Sequence, residues 1–257
     1  MKIIPIFMLW ILSITVVSAA TRNFYQLKIY HLKNKDQENR VDAFLEKAYI
    51  PALHRANISH VGVFKPSPFM ELPNKERLIY VFIPYSSFEQ YVKLEAALLN
   101  DQQYEKAGSN YLNASPDNAA YERIETILLN AFTGSPNYNI PTLTGPKKER
   151  IYELRSYEGP TEKLYQNKVD MFNKGDEIGL FKRLGFNAVF YGEVLAGSKM
   201  PNLMYLTTFE DKQSRDKHWD AFGKDAYWKR LSSLPIYQNN VSHSDILLLK
   251  PTEYSDI

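Results

Sequence analysis

The chain contains no cysteine, which removes disulfides, thiolate nucleophiles and lipid-modified cysteine anchors together. The phosphate-cradling patterns Gly-x-Gly-x-x-Gly and Gly-x-x-x-x-Gly-Lys are missing, so nucleotide cofactors have no support. No Gly-x-Ser-x-Gly elbow marks a nucleophilic serine. Five histidines are present, His31, His54, His60, His218 and His243, and none pairs as His-x-x-x-His or His-Glu-x-x-His. A metal would need ligands gathered from distant strands, so neither a metal nor another cofactor is expected. Long runs of one charge are lacking too. The 31 basic and 29 acidic residues give a net charge of +2, and a basic face for nucleic acid is not indicated.

At the amino terminus, Met1-Lys2 precedes an apolar run from Ile3 to Val17 and then Ser18-Ala19-Ala20. A charged start, a short hydrophobic stretch and small residues at a cleavage point make a secretory signal peptide over residues 1–20. The run is shorter than the roughly 20 apolar residues a bilayer span needs. The protein is therefore expected to be exported, periplasmic or secreted, touching membrane only through this segment.

What the remaining chain has is repetition. Tyr25-Gln-Leu-Lys-Ile-Tyr30 recurs as Tyr152-Glu-Leu-Arg-Ser-Tyr157, Val41-Asp-Ala-Phe44 as Val169-Asp-Met-Phe172, and Leu78-Ile-Tyr80 as Leu203-Met-Tyr205. The offsets are 127, 128 and 125 residues, far longer than solenoid repeats, so whole domains are duplicated. Residues 21–133 form one copy and 149–257 the other. The stretch 134–148 holds three prolines and two glycines without apolar periodicity and reads as a linker.

Each copy reads strand, helix, strand, strand, helix, strand. In the first, strands cover 24–32, 60–65, 78–83 and 123–132. A helix over 36–55 carries an apolar stripe interrupted by Pro51, which predicts a break near Tyr49. Ser86 with Glu89 predicts the start of a second helix. In the second copy, strands cover 150–157, 186–192, 203–209 and 243–249. One helix runs from Thr161 to Leu184, and Asp211 and Asp225 each cap another. Two βαββαβ units are the ferredoxin-like arrangement. A sheet with helices on one side leaves its other face bare, and two such sheets can cover each other. The fold class is α+β, with two tandem ferredoxin-like domains closing as a pseudo-dimeric α/β barrel; further homodimerisation stays open.

Alternation along the first strands assigns Tyr25, Leu27 and Ile29 to the helices and Gln26, Lys28 and Tyr30 to the barrel. In the second copy Glu153, Arg155 and Tyr157 take the barrel side. A charge in a dry core costs several kcal/mol unless paired. Either the barrel is wet and binds something polar, or Glu153 and Arg155 neutralise neighbours across the seam. Lys28, Tyr30, His60, Glu153, Arg155 and Tyr157 are the candidate lining of a ligand site.

The second copy also resembles the NIPSNAP domain of the dimeric α/β-barrel superfamily. The resemblance rests on Arg150-Ile-Tyr-Glu-Leu-Arg-Ser-Tyr157, Leu184-Gly-Phe-Asn-Ala-Val-Phe-Tyr-Gly-Glu193, Pro201-Asn-Leu-Met-Tyr205, Arg215-Asp-Lys-His-Trp-Asp-Ala-Phe222 and Asp225-Ala-Tyr-Trp-Lys229. The first copy looks like a divergent version that keeps Asp101-Gln-Gln-Tyr104 but lacks counterparts of Trp219 and Trp228. Trp219 and Phe222 fit a buried helix stripe, with Arg215 beside them as a surface or salt-bridge partner. The resemblance implies a tandem-domain exported bacterial form, in a superfamily that includes cofactor-free monooxygenases, small isomerases and dehydratase-like binders. The expected function is binding of a small organic molecule or a protein partner. The alternative is a cofactor-independent monooxygenase or isomerase for an aromatic or polyketide-like substrate, with Arg155 holding an anionic oxygen and His60 moving a proton. A barrel void of several hundred Å3 reached by Arg155 and Tyr157 would favour a ligand; a filled interior would leave a scaffold.

Overall fold

The computed structural model describes residues 21–70 and 76–257, so the expected signal segment lies outside the described residues. Among those residues, no helix is long and apolar enough to cross a membrane. The first half runs β1 (Phe24–Leu32), α1 (Lys35–Phe44), a π-helical turn (Leu45–Tyr49), α2 (Ile50–Arg55), β2 (Gly62–Pro66), β3 (Arg77–Tyr85), α3 (Phe88–Leu99), α4 (Gln102–Leu112) and β4 (Arg123–Ala131). Asn34 starts α1 by accepting the Gln37 N–H at 2.9 Å. Pro51 cannot donate to the preceding turn, and the widened turn just before it absorbs that loss. Ser87 rather than Ser86 caps α3, accepting from the Gln90 N–H. Helix α4, capped by Asp101, adds an element to those the sequence pattern predicts.

The second half runs β5 (Ile151–Glu158), α5 (Glu162–Asn173), α6 (Glu177–Arg183), β6 (Phe190–Ala196), β7 (Asn202–Phe209), α7 (Lys212–Lys224), α8 (Ala226–Ser233) and β8 (His243–Pro251). The long helix expected from Thr161 to Leu184 is broken between α5 and α6. A Cβ on Gly175 would lie 2.5 Å from the Met171 carbonyl oxygen, and Asp176 follows in the left-handed region at φ 53°. Strand β6 begins four residues later than the Phe186 expected, because Gly185 turns the chain at φ +76°. Phe186 itself packs under the helices.

The eight strands close into one barrel in the order β1-β3-β2-β8-β5-β7-β6-β4. Advancing every strand number by four returns the same ring, so the two halves are related by a pseudo-two-fold axis. Every neighbouring pair is antiparallel, including the seams β2–β8, where Lys65 faces Lys250, and β4–β6, where Asn130 faces Glu193. Closure leaves no sheet edge in either half.

Strand alternation makes three cores from these elements. Tyr25, Leu27 and Ile29 meet Tyr152, Leu154, Phe190, Met204 and Leu249 inside the barrel. Ile79, Val81 and Ile83 turn outward onto α1, α2 and the π turn. Leu203, Tyr205 and Phe209 do the same beneath α5–α8.

The face assignment drawn from the sequence is therefore reversed. Lys28 and Tyr30 lie under the first-half helices, and Glu153, Arg155 and Tyr157 under the second-half helices. The physical reason is the supply of partners. For Glu153 the barrel interior beside it is lined by Tyr152, Leu154 and Leu249, whereas the helices bring Arg215 and Trp219 to it.

Candidate functional site

One end of the barrel is filled by aromatic rings. Phe82 and Phe190 stack with centroids 4.9 Å apart and planes 2° apart. Tyr25 packs on both, at 5.4 and 5.2 Å, and Phe64 meets Tyr152 at 4.7 Å. The Tyr25 and Tyr152 hydroxyls are buried there without a hydrogen-bond partner, and burial pushes both above the ordinary phenol range.

The opposite end, where β1 and β5 finish, holds a cavity of about 220 Å3. Its wall is apolar: Ile29, Leu78, Ile127, Leu154, Val194 and Met204. Its polar groups are His31, Tyr80, Glu125, Ser156, Asn202 and Asp245, with Glu76 and Lys199 at the mouth. Both halves contribute to this lining. Asn202 Nδ2 donates to Ser156 Oγ at 2.7 Å, and both residues are buried. Ser198 donates to Glu125 Oε1 at 2.8 Å.

His31 Nε2 is buried without a hydrogen-bond partner and lies 3.7 Å from Glu125 Oε2. Burial holds the Tyr80 hydroxyl above its ordinary range, helped by the charges of Glu125, Glu76 and Asp245. Tyr80 is therefore a hydrogen-bond donor, not a phenolate, at neutral pH. Burial opposes the charge of Asp245, but Lys199 and His243 keep its carboxyl below the usual range. Such a cavity can hold a small, mostly apolar molecule and offer a phenol, an imidazole and carboxylates to its polar end.

None of the six residues expected to line a site reaches this cavity. Three of them assemble elsewhere, beneath α7. Glu153, fully buried, accepts from Arg155 Nε at 2.6 Å, Arg215 Nε at 2.6 Å and Trp219 Nε1 at 2.8 Å. The Arg155 guanidinium lies 3.5 Å over the Trp219 ring and donates to Tyr157 Oη at 3.1 Å. Tyr157 and Tyr205 share a 2.8 Å hydrogen bond. Glu153 thus pairs with both Arg155 and Arg215 under a helix, not across the seam, and Asp216 takes a second contact with Arg215. Close by, Lys168 donates to Glu177 at 2.8 Å, both buried.

Lys28 and Tyr30 occupy the equivalent place in the first half, among Tyr49, Tyr111 and Tyr121. His60 precedes β2 instead of lying in it. Its backbone has φ 62°, which ends the extended run before Gly62, and its Nδ1 is 2.8 Å from Tyr138 Oη.

Sequence reasoning missed His31, Tyr80, Glu125 and Asp245. The signal for His31 was available, since it continues the Tyr25, Leu27, Ile29 parity and changes face with them. A further trio, Glu158, His243 and Asp245, has ligand atoms within 4.8 Å of one another. Asp245 there is already matched by Lys199, so the trio by itself assigns no metal.

Comparison with known proteins adds the following. The NIPSNAP family model matches residues 152–256. No curated protein matches the chain. Among solved structures, the chain is similar to a candidate monooxygenase from Fusobacterium nucleatum, at TM-score 0.61 and 8% identity over 90% of this chain and 93% of that one. A candidate monooxygenase from Lactobacillus acidophilus aligns at TM-score 0.57 and 8% identity over 90% and 94%. An anthrone oxidase-like protein aligns at 0.51 and 10% identity over 92% and 94%. At such identities the likeness is one of fold: the tandem α/β barrel is shared over about nine tenths of this chain.

Proposed function

We propose that this protein, whose second half is NIPSNAP-like and whose strands form a dimeric α/β-type barrel in one chain, binds a small organic molecule in the barrel-end cavity. The observation that carries this reading is the cavity itself, apolar in its wall and polar at one end. Its 220 Å3 lies just under the usual range for ligand sites and equals the liquid volume of about seven waters. That size favours a one- or two-ring compound. A thermal-shift screen with one- and two-ring aromatic compounds tests it. Leu247 borders the cavity, and Leu247→Trp should obstruct part of it and reduce the shifts seen with the unaltered protein. Shifts of equal size in both proteins would sink the reading.

A second reading, oxygenation or isomerisation without a cofactor, draws support from His31. An imidazole with a free buried nitrogen beside Glu125 is placed to take a proton from a molecule in the cavity. His31, rather than His60, then moves the proton. Oxygen uptake with one- and two-ring phenols, lost in His31→Ala but with ligand shifts retained, would favour catalysis over binding alone.

A further inference from the structure

The duplicated halves differ at one charged position in a way that points to chemistry. Arg155 in β5 has the buried carboxylate of Glu153 two residues before it, at 2.6 Å. The equivalent of Arg155 is Lys28, and the equivalent of Glu153 is Gln26, which carries no charge. The Gln26 carbonyl oxygen is itself taken by the Tyr85 hydroxyl at 2.9 Å. Lys28 is left facing rings: its Nζ lies 4.8 Å from the Tyr49 centroid and 5.7 Å from that of Tyr30.

Around this cluster other elements add further rings, Phe44 from α1 among them. Tyr104 and Tyr111 come from α4, and Tyr121 from the loop before β4. Among the described residues no carboxylate lies within salt-bridge distance of Lys28. The Tyr30 hydroxyl in this cage is fully buried and has the Tyr111 phenol as its neighbour, so the surroundings offer Lys28 phenols and no acid. Lys28 keeps part of its surface exposed.

We propose that Lys28 is a reactive amine that condenses with small aldehydes to form an imine within this tyrosine cage. The neutral nitrogen attacks the carbonyl carbon, forming the C–N bond as the C=O π pair moves to oxygen. The proton passes from nitrogen to that oxygen, and the carbinolamine then loses water to leave C=N. Nothing is oxidised or reduced. Burial favours the neutral amine needed for attack and lowers the Lys28 ammonium to about 8, against an opposing effect of Tyr121.

The test is brief treatment of the whole protein with propanal and sodium cyanoborohydride, followed by peptide mapping. At pH 7, Lys28 should label at least about tenfold faster than the exposed Lys33 and Lys106. The labelling rate should rise with a midpoint near pH 8. Gln26→Glu gives Lys28 the partner that Arg155 has, and should move that midpoint upward and slow labelling at pH 7 about fivefold or more. Circular dichroism checks that the variant is folded, and the unaltered protein's pH profile stands as a test without it. Labelling of Lys28 no faster than Lys33, or a profile following an ordinary lysine, would overturn the proposal by showing that the rings simply hold an ammonium.

Discussion

Replacing Glu153 by Gln isolates the electrostatics of the second half with almost no change of shape. The carboxylate is fully buried and receives two guanidinium groups and an indole N–H. Arg155 and Arg215 would then share a neutral amide, which accepts through one oxygen and offers both of them a repelling NH2. Asp216 still pairs with Arg215 at 3.0 Å, but it is about half exposed and screened. Arg155 keeps only the Tyr157 hydroxyl and the Trp219 face. Breaking one side of a buried pair costs about 3–5 kcal/mol. With a urea m-value of roughly 3 kcal/mol/M, the unfolding midpoint should fall by about 1–1.7 M. The triple change Glu153→Leu, Arg155→Leu, Arg215→Met should regain most of that loss, because no charge is then stranded. A fall below about 1 kcal/mol in the single variant would refute the reasoning, since it would mean that the guanidinium groups find water or another acid.

Two further outcomes follow from other parts of the molecule. Phe82→Ala removes a ring stacked 4.9 Å from Phe190 and should cost about 3–5 kcal/mol in urea unfolding; a loss under 1 kcal/mol would show the plug to be loosely packed. Glu38 is buried, which opposes its charge, yet hydrogen bonds from Lys35, Lys65 and Arg77 hold its carboxyl down to about 2. Because its folded value lies below the ordinary 4.5, its contribution is complete above that pH and is lost as pH falls towards 2. Glu38→Gln should therefore reduce the drop in urea midpoint between pH 6 and pH 3, and an unchanged drop would contradict the assignment.

The architecture was legible because its signals are long-range and redundant. Three repeated segments at nearly constant offset, with strands at matching positions, fix two βαββαβ units, and a half-covered sheet then has few ways to hide its bare face. The site was not legible, because parity along β1 is symmetric in aromatic content. Tyr25 heads one face and Tyr30 ends the other, and both are fully buried. Choosing the polar set as barrel lining followed the notion that polar residues face a ligand. It overlooked that helices can deliver counter-charges such as Arg215 from 62 residues away. Local geometry hid the remainder: the Gly175 break and the left-handed His60 depend on backbone positions that apolar periodicity does not register.

The cavity also bears on how far one half can act alone. Its wall takes Ile29, Leu78 and Ile127 from the first half and Leu154, Val194 and Met204 from the second. A fragment of residues 149–257 would lay open the sheet face carrying Tyr152, Leu154, Phe190, Met204, Leu206 and Leu249, all buried in the intact chain. Contiguous apolar surface of that extent is not left in water by stable monomers. The ring order supplies the remedy, because β4 and β8 hold equivalent places. A second copy of the fragment can set its β6 against the first copy's β8, and the first copy's β6 against its own β8, closing an eight-stranded ring with true two-fold symmetry. Light scattering on the purified fragment should accordingly find a dimer, or aggregate where the seams pair poorly. A folded, soluble monomer would mean that the interior faces do not need each other, and the reading of the cavity as joint property of both halves would fall with that result.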